Sequence, residues 1–191
     1  DTSWTGEFLY FQNAEAERAS GAAGFFFNSG GNNDDGNFIT LDNCFSSTNE
    51  NNGIELSTSL DASVNITNCN VRGNKGHGIV IDSDGGNTSI VNPVISGNSS
   101  ASSGSNHGIV IGTLVSDVYI GGGRIGGNVS VKGTGTQGRG IQINGTNHTN
   151  IRIIGANVTG NQNSEGISQN ITTGNGNSIQ FNAGSSVTLD T

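Results

Sequence analysis

A short apolar phrase recurs down the chain, a glycine followed by three residues of which the first and third are usually apolar. It begins at Gly24, Gly53, Gly78, Gly108 and Gly140, and in a degenerate form at Gly166. Successive copies are 25 to 32 residues apart. Alternation over so few positions is typical of short strands, and a repeat of this length without helical spacing indicates stacked coils.

A second strand phrase alternates with the first and aligns with itself from copy to copy. One of its apolar positions is occupied by Phe11, Leu41, Ile66, Ile90, Ile120 and Ile153. We expect each strand to hydrogen-bond the equivalent strand of the coils above and below, so that equivalent residues stack in columns about 4.8 Å apart. The predicted fold class is therefore all-β, a right-handed parallel β-helix of about seven coils.

The whole chain, residues 1–191, is predicted to form one β-helix domain. Residues 1–23 are expected to form an irregular first coil or cap, and residues 178–191 to supply terminal strands. The open ends of a solenoid present unpaired strand edges, so a cap, a partner chain or a further domain is expected there.

Two columns predict particular packing. One turn position is occupied by Asn49, Asn74, Asn98, Asn128 and Asn161, which indicates a ladder of hydrogen-bonded side-chain amides. Cys44 and Cys69 lie one coil apart and are expected to stack as buried thiols. A disulfide between them is the alternative, because stacked positions bring the two Cα atoms close enough.

Composition narrows the class of partner. The chain contains 32 Gly and one Pro and carries a net charge of -8. Its seven basic residues form no cluster, which argues against a nucleic-acid partner. No apolar run is long enough to span a bilayer, so membrane insertion is not expected.

The outward position of the glycine-led strands suggests an oligomer. It is apolar in three of six coils, at Phe26, Val80 and Val110. A strand that is apolar on both faces is normally covered, so we expect this sheet to pack on another chain, most economically in a homotrimer. Scattered surface valines on a β-rich face are the alternative.

Glu55 and Asp82 form the best candidate acid pair. Both face outward on adjacent coils, offset by two residues along the strand, which places their carboxyl groups roughly 5–9 Å apart, within the range that glycosidases use. Asp84 lies nearby, and Arg72 and Lys75 in the preceding turn could bind an acidic sugar. These three acidic residues are the predicted catalytic residues. Solvated surface carboxylates are the alternative interpretation.

Five residues are predicted to bind substrate: His77, His107, Tyr119, Arg139 and Arg152. The two histidines and Arg139 fall in one column at a coil corner, where they could equally be turn residues. Tyr119 and Arg152 share an outward column with Tyr10, a polar face on which sugars could stack, although β-propensity alone can also place tyrosine there. No metal site is predicted, because no third ligand has suitable spacing beside the two histidines. Residues 32–35 and 82–85 resemble fragments of calcium loops, but neither completes the acidic spacing that such a loop requires. No cofactor is expected.

Residues 64–81, Val-Asn-Ile-Thr-Asn-Cys-Asn-Val-Arg-Gly-Asn followed after one residue by Gly-His-Gly-Ile-Val-Ile, resemble the repeat of the pectate-lyase-like β-helix superfamily. The Gly- and Asn-rich, weakly charged coils, with phrases such as residues 122–128, look like the carboxy-terminal part of a bacteriophage tailspike or tail-fibre protein. Such proteins are trimers that bind, and often cleave or deacetylate, surface polysaccharide of the host bacterium. No catalytic motif of theirs can be matched here residue by residue.

The resemblance implies a virion-associated (tail) or extracellular protein that recognises bacterial surface glycan, with hydrolysis left open. A structural fibre or adhesin segment without enzymatic activity is the first alternative. A polysaccharide lyase or epimerase is the second. Release of reducing ends, or of unsaturated uronate, would separate these functions.

Overall fold

A computed structural model describes residues 8–28, 37–57, 60, 62–82, 87–99, 106–126, 137–145, 148–159, 167–169 and 178–180. These residues form nineteen short strands and no helix. In chain order the strands are β1 (Phe8–Gln12), β2 (Glu15–Glu17), β3 (Phe25–Phe27), β4 (Asn37–Asp42), β5 (Phe45–Ser47), β6 (Ile54–Leu56), β7 (Ala62–Thr67), β8 (Asn70–Arg72), β9 (Ile79–Ile81), β10 (Thr88–Val91), β11 (Val94–Ser96), β12 (Ile109–Ile111), β13 (Val118–Gly121), β14 (Arg124–Gly126), β15 (Ile141–Ile143), β16 (Arg152–Ile154), β17 (Asn157–Thr159), β18 (Ile167–Gln169) and β19 (Ser178–Gln180).

The strands form three parallel sheets, and the chain visits each sheet once per coil. The seven-stranded sheet has the order β1-β4-β7-β10-β13-β16-β19. The two six-stranded sheets have the orders β2-β5-β8-β11-β14-β17 and β3-β6-β9-β12-β15-β18. This topology confirms the predicted right-handed parallel β-helix of about seven coils. Strands β1 and β2 pair in register with β4 and β5, and β19 pairs with β16. Residues 181–191 lie outside the described part.

The predicted columns are confirmed by the strand registers. Phe11 pairs with Leu41, and the column continues through Ile66, Ile90, Ile120 and Ile153. The inward side chains of the middle coils are mostly isoleucine and fully buried. The first coil is aromatic instead, with the ring of Phe11 in edge contact with Phe25 and Phe27 at centroid distances of 6.1 and 6.0 Å. Apolar burial along this axis holds the coils together.

The predicted asparagine ladder is confirmed for three coils. The side-chain amide of Asn49 donates to Asn74 Oδ1 at 2.9 Å, and Asn74 donates to Asn98 Oδ1 at the same distance. The next acceptor is Gln137 Oε1, at 3.3 Å from Asn98 Nδ2. Gln137 is not a member of the predicted asparagine column. Asn128 and Asn161, the other predicted members, lie outside the described residues.

A second turn column was not predicted. Asn13, Asn43, Asn68 and Asn92 all have positive φ, between 51° and 55°, at the corner between the seven-stranded sheet and the sheet of β2. Asparagine adopts this left-handed conformation at lower cost than most residues. Asn43 Nδ2 also donates to Asn13 Oδ1 at 2.6 Å. The corner therefore explains part of the high asparagine content of the chain.

Cys44 and Cys69 are free and buried, which confirms the predicted stacked thiols over the alternative disulfide. Val80 and Val110, the outward valines of the third sheet, are each only 6 % exposed within a single chain. Phe26, in the same column, is 50 % exposed. The two valines therefore leave little apolar surface for a partner, and the homotrimer remains a prediction supported on this face by Phe26 alone.

Candidate functional site

The candidate acid pair lies on the third sheet. Glu55 pairs in register with Val80, and Asp82 follows two residues after Val80, just beyond β9. Burial raises the pKa of the Asp82 carboxyl above its ordinary value, and the nearby charge of Glu55 raises it further. The two carboxyl groups are therefore close enough to influence each other. Asp84, the third predicted catalytic residue, lies outside the described residues.

Three residues lie next to the acid pair: Asn52, Gly112 and Phe26. Asn52 is 8 % exposed, and its Nδ2 donates to Glu55 Oε2 at 2.8 Å. Asp82 lies against Gly112 of the next coil, where an added Cβ would come within 2.0 Å of Asp82 Oδ1. The exposed ring of Phe26 is the register neighbour of Glu55 on the other side. Sequence reasoning missed Asn52 and Phe26 as site residues. Asn52 shares a column with the predicted His77, and Phe26 shares one with the predicted Glu55.

The cationic groups expected beside the acid pair are engaged elsewhere. The guanidinium of Arg72 lies over the ring of Phe45, 4.8 Å from its centroid, on a different sheet. Lys75 forms an ion pair with Glu50. The expectation that Arg72 and Lys75 assemble around Glu55 is therefore not met in this arrangement.

His77, His107 and Arg139 form a column at one coil corner, as predicted, and Asn52 begins it. The backbone N–H of His77 donates to Asn52 Oδ1 at 2.8 Å, and that of His107 donates to His77 Nδ1 at 2.9 Å. The backbone N–H of Arg139 donates to His107 Nδ1 at 3.2 Å. Each imidazole must be neutral at Nδ1 to accept, so these side chains extend the strand hydrogen bonding across the corner.

The environment agrees with neutral rings. Burial lowers the pKa of His77. The pKa of His107 falls to about 4 because of burial first, and then because a charged His107 ring would be repelled by a charged His77 ring and by Arg139. The two ring centroids are 5.4 Å apart. Within the described part of the chain, no group of three or more His, Cys, Asp or Glu side chains is placed to hold a metal ion.

Tyr119 and Arg152 lie on the outer face of the seven-stranded sheet, as predicted, and are register neighbours on β13 and β16. They line a groove of about 230 Å³ that crosses four coils. Its lining residues are Ser63, Asn65, Asn87, Thr88, Ser89, Asp117, Val118, Tyr119, Asn150 and Arg152. We call this the sheet groove. Most of the lining residues carry a hydroxyl, amide or charged group, and Tyr119 supplies an aromatic ring.

The ring of Tyr119 lies along its own strand. A Cβ added at Gly121, the next outward position on β13, would come within 2.5 to 2.7 Å of the phenol oxygen and two ring carbons of Tyr119. The missing side chain of Gly121 therefore leaves the space that the phenol end of the ring occupies. In that place the ring covers the sheet instead of projecting from it.

One rim of the sheet groove is fastened by contacts between consecutive coils. Asn150 Nδ2 donates to Asp117 Oδ1 at 2.7 Å, and Thr149 Oγ1 donates to Ser116 Oγ at 2.7 Å. The buried His148 has its Nδ1 2.9 Å from the carbonyl oxygen of Val115. These contacts hold residues 148–150 against residues 115–117, which fixes the position of the Asp117 carboxylate. Sequence reasoning missed this rim, because it depends on which loops meet.

Exposed aromatic side chains continue the same face toward the first coil. Phe8 and Phe38 pair in register and are 62 % and 48 % exposed. Tyr10 shares the column of Tyr119 and Arg152, as predicted. Three intervening coils separate Tyr10 from Tyr119, and they contribute Thr40, Asn65 and Ser89 to the column. Tyr10 stacks on Phe8 at a centroid distance of 6.3 Å.

The predicted site residues therefore form two groups on different sheets. Glu55, Asp82, His77, His107 and Arg139 belong to the third sheet or the corner that leads into it. Tyr119 and Arg152 belong to the outer face of the seven-stranded sheet. The two groups do not form one site.

Comparison of the chain with models of protein families, with curated proteins and with solved structures finds no match to any of them. Among the described residues there is no helix with the length and apolar character needed to cross a membrane. The case for a function therefore depends on the geometry of the two groups of residues.

Proposed function

We propose that this β-helix binds a polysaccharide in the sheet groove. The observation that carries the proposal is the lining itself, which places hydroxyl, amide, carboxylate and guanidinium groups with one aromatic ring across four consecutive coils. Sugars are bound by such a combination, because their hydroxyls need paired donors and acceptors while their ring faces pack on aromatic rings.

The direction of the sheet groove favours a chain over a small molecule. It runs along the helix axis, and each coil contributes a new set of side chains about 4.8 Å further on. A sugar residue in an extended glycan has a length close to this spacing, so successive sugars can meet equivalent positions of successive coils. In keeping with the tailspike resemblance, the proposed ligand is a bacterial surface glycan, and the proposed setting is a phage tail or another extracellular surface.

Binding can be tested with immobilised bacterial capsular polysaccharides and lipopolysaccharides. We expect at least one to bind, and Tyr119→Ala to weaken that binding on the order of tenfold. Tyr10→Ala is the matched control, because Tyr10 occupies the same outward column outside the sheet groove. Binding to none of the glycans, or equal losses in the two variants, would remove the sheet groove as the binding site and favour a structural fibre.

The acid pair supports a second activity, hydrolysis of a glycosidic bond. The raised pKa of Asp82 suits a general acid, and Glu55, held by Asn52, suits a nucleophile or base. New reducing ends after incubation with a bound glycan test this role. Glu55→Gln and Asp82→Asn should abolish the release, whereas Glu50→Gln, a substitution at an exposed carboxylate outside the pair, should not. Release that persists in both variants would contradict the assignment, and unsaturated uronate would indicate a lyase.

A further inference from the structure

Arg152 is the unpaired cation of the sheet groove. It is exposed, and the described part of the chain contains no hydrogen bond or ion pair to its guanidinium. The other charged group of the lining, Asp117, lies in a neighbouring column, and its Oδ1 accepts from Asn150. The positive charge of Arg152 is therefore available to a ligand.

The net charge of the chain and the mostly neutral lining of the sheet groove determine which kind of anion Arg152 can bind. A net charge of -8 repels ligands with a charge on every monomer unit, such as nucleic acids, more strongly than ligands whose charges are widely spaced. One guanidinium in a groove of mostly neutral polar groups is matched instead by a single anionic substituent. The planar fork of donors in arginine fits a carboxylate, which it can bind through two parallel hydrogen bonds.

Tyr119, the aromatic residue of the sheet groove, is the register neighbour of Arg152. The two residues are one coil apart, and the ring of Tyr119 lies along the strand over Gly121. A sugar packed on this ring therefore has its substituents within reach of the Arg152 side chain.

The geometry points to an acidic glycan, in which a repeat unit carries one carboxylate that Arg152 binds while the ring of the same or the adjacent sugar packs on Tyr119. This inference rests on the proposed glycan binding in the sheet groove and adds its substrate class. It does not involve the acid pair, which lies on another sheet.

The test uses the full chain and a panel of bacterial polysaccharides, neutral and acidic. Each acidic member is present in native form and after reduction of its carboxylates to alcohols. We expect a native acidic polysaccharide to bind on the order of tenfold more tightly than its reduced form, since a hydrogen bond to a charged group contributes more than a neutral one.

Arg152→Gln should remove the preference for the native form, so that this variant binds the native and reduced forms equally. Arg124→Gln, at an exposed arginine of β14 outside the sheet groove, is the matched control and should keep the preference. Binding confined to neutral glycans, equal binding of native and reduced forms by the wild type, or a preference that survives in Arg152→Gln would each overturn the inference and leave the proposed function standing. Binding to no member of the panel would remove the proposed function and the inference together.

Discussion

The asparagine ladder is predicted to be a major source of stability, and Asn74→Ala tests it. Asn74 is fully buried in the centre of the described ladder. Its Oδ1 accepts from the backbone N–H and from the side-chain amide of Asn49, at 3.1 and 2.9 Å. Its Nδ2 donates to Asn98 Oδ1 at 2.9 Å and to the carbonyl oxygen of Ser46 at 3.3 Å. The substitution removes all four hydrogen bonds.

The expected loss follows from what remains behind. The buried backbone N–H of Asn49 would lose the acceptor that Asn74 provides, which costs about 1–3 kcal/mol. The other three hydrogen bonds contribute about 1 kcal/mol each, less where a partner keeps another bond, as the Asn49 amide does to Ala16 and Ser46. We expect the free energy of unfolding to fall by about 3–5 kcal/mol, a large part of the total for a domain of this size.

Urea-induced unfolding, followed by far-ultraviolet circular dichroism, measures the change. The matched control is Asn65→Ala, because Asn65 is exposed on the outer face of the seven-stranded sheet and should contribute less than about 0.5 kcal/mol. A loss below about 1 kcal/mol for Asn74→Ala, or one equal to that of the control, would show that the ladder does not stabilise the coils and that the reasoning is wrong.

Three further predictions concern single side chains. His107→Asn keeps an acceptor at this corner, as Asn52 does two coils earlier in the same column. It removes a ring whose pKa falls from 6.5 to about 4 on folding. The unfolded ring binds a proton more readily than the folded one, so acid favours unfolding of the wild type. Its free energy of unfolding should therefore fall by on the order of 1–2 kcal/mol from pH 6.5 to 4, after allowance for partial exposure. Equal dependence of stability on pH in the wild type and in His107→Asn would contradict this. Burial raises the pKa of Cys69 to about 12, so iodoacetamide at pH 8 should alkylate this thiol only after unfolding. Modification at the same rate in native and denatured protein would count against a buried thiol. Gly121→Ala should displace the ring of Tyr119 and weaken glycan binding on the order of tenfold. The same substitution should have no effect on binding when Tyr119 is already alanine. Additive losses in the double variant would refute the claim that Gly121 acts through the Tyr119 ring.

The fold could be predicted from the sequence because stacking makes equivalent positions visible. Inward positions such as Ile66, Ile90 and Ile120 must all be apolar, so their spacing reveals the coil period directly. The same logic correctly indicated the Cys44–Cys69 stack. It failed at Gln137, which follows Asn98 in the ladder after 39 residues, whereas the earlier neighbours are 25 and 24 residues apart. A residue of another type at another spacing is not visible as part of the column.

The candidate sites were predictable only as columns. Tyr119 and Arg152 share the column that the alignment assigned to them. The sheet groove itself was not predicted, because it also needs Asp117 and Asn150 from turns that meet across coils. Nor could the sequence show that Val80 is covered within one chain, since a side chain that points outward from a strand can still be buried by its neighbours.

The location of bound glycan tests the central claim most directly. Amide resonances of the isotope-labelled protein, assigned and followed during titration with an oligosaccharide cut from a bound polysaccharide, report which strands the ligand touches. The account predicts that the largest shift changes fall on β7, β10, β13 and β16, which line the sheet groove. Changes confined to β6, β9 and β12, or no change at saturating ligand, would contradict it.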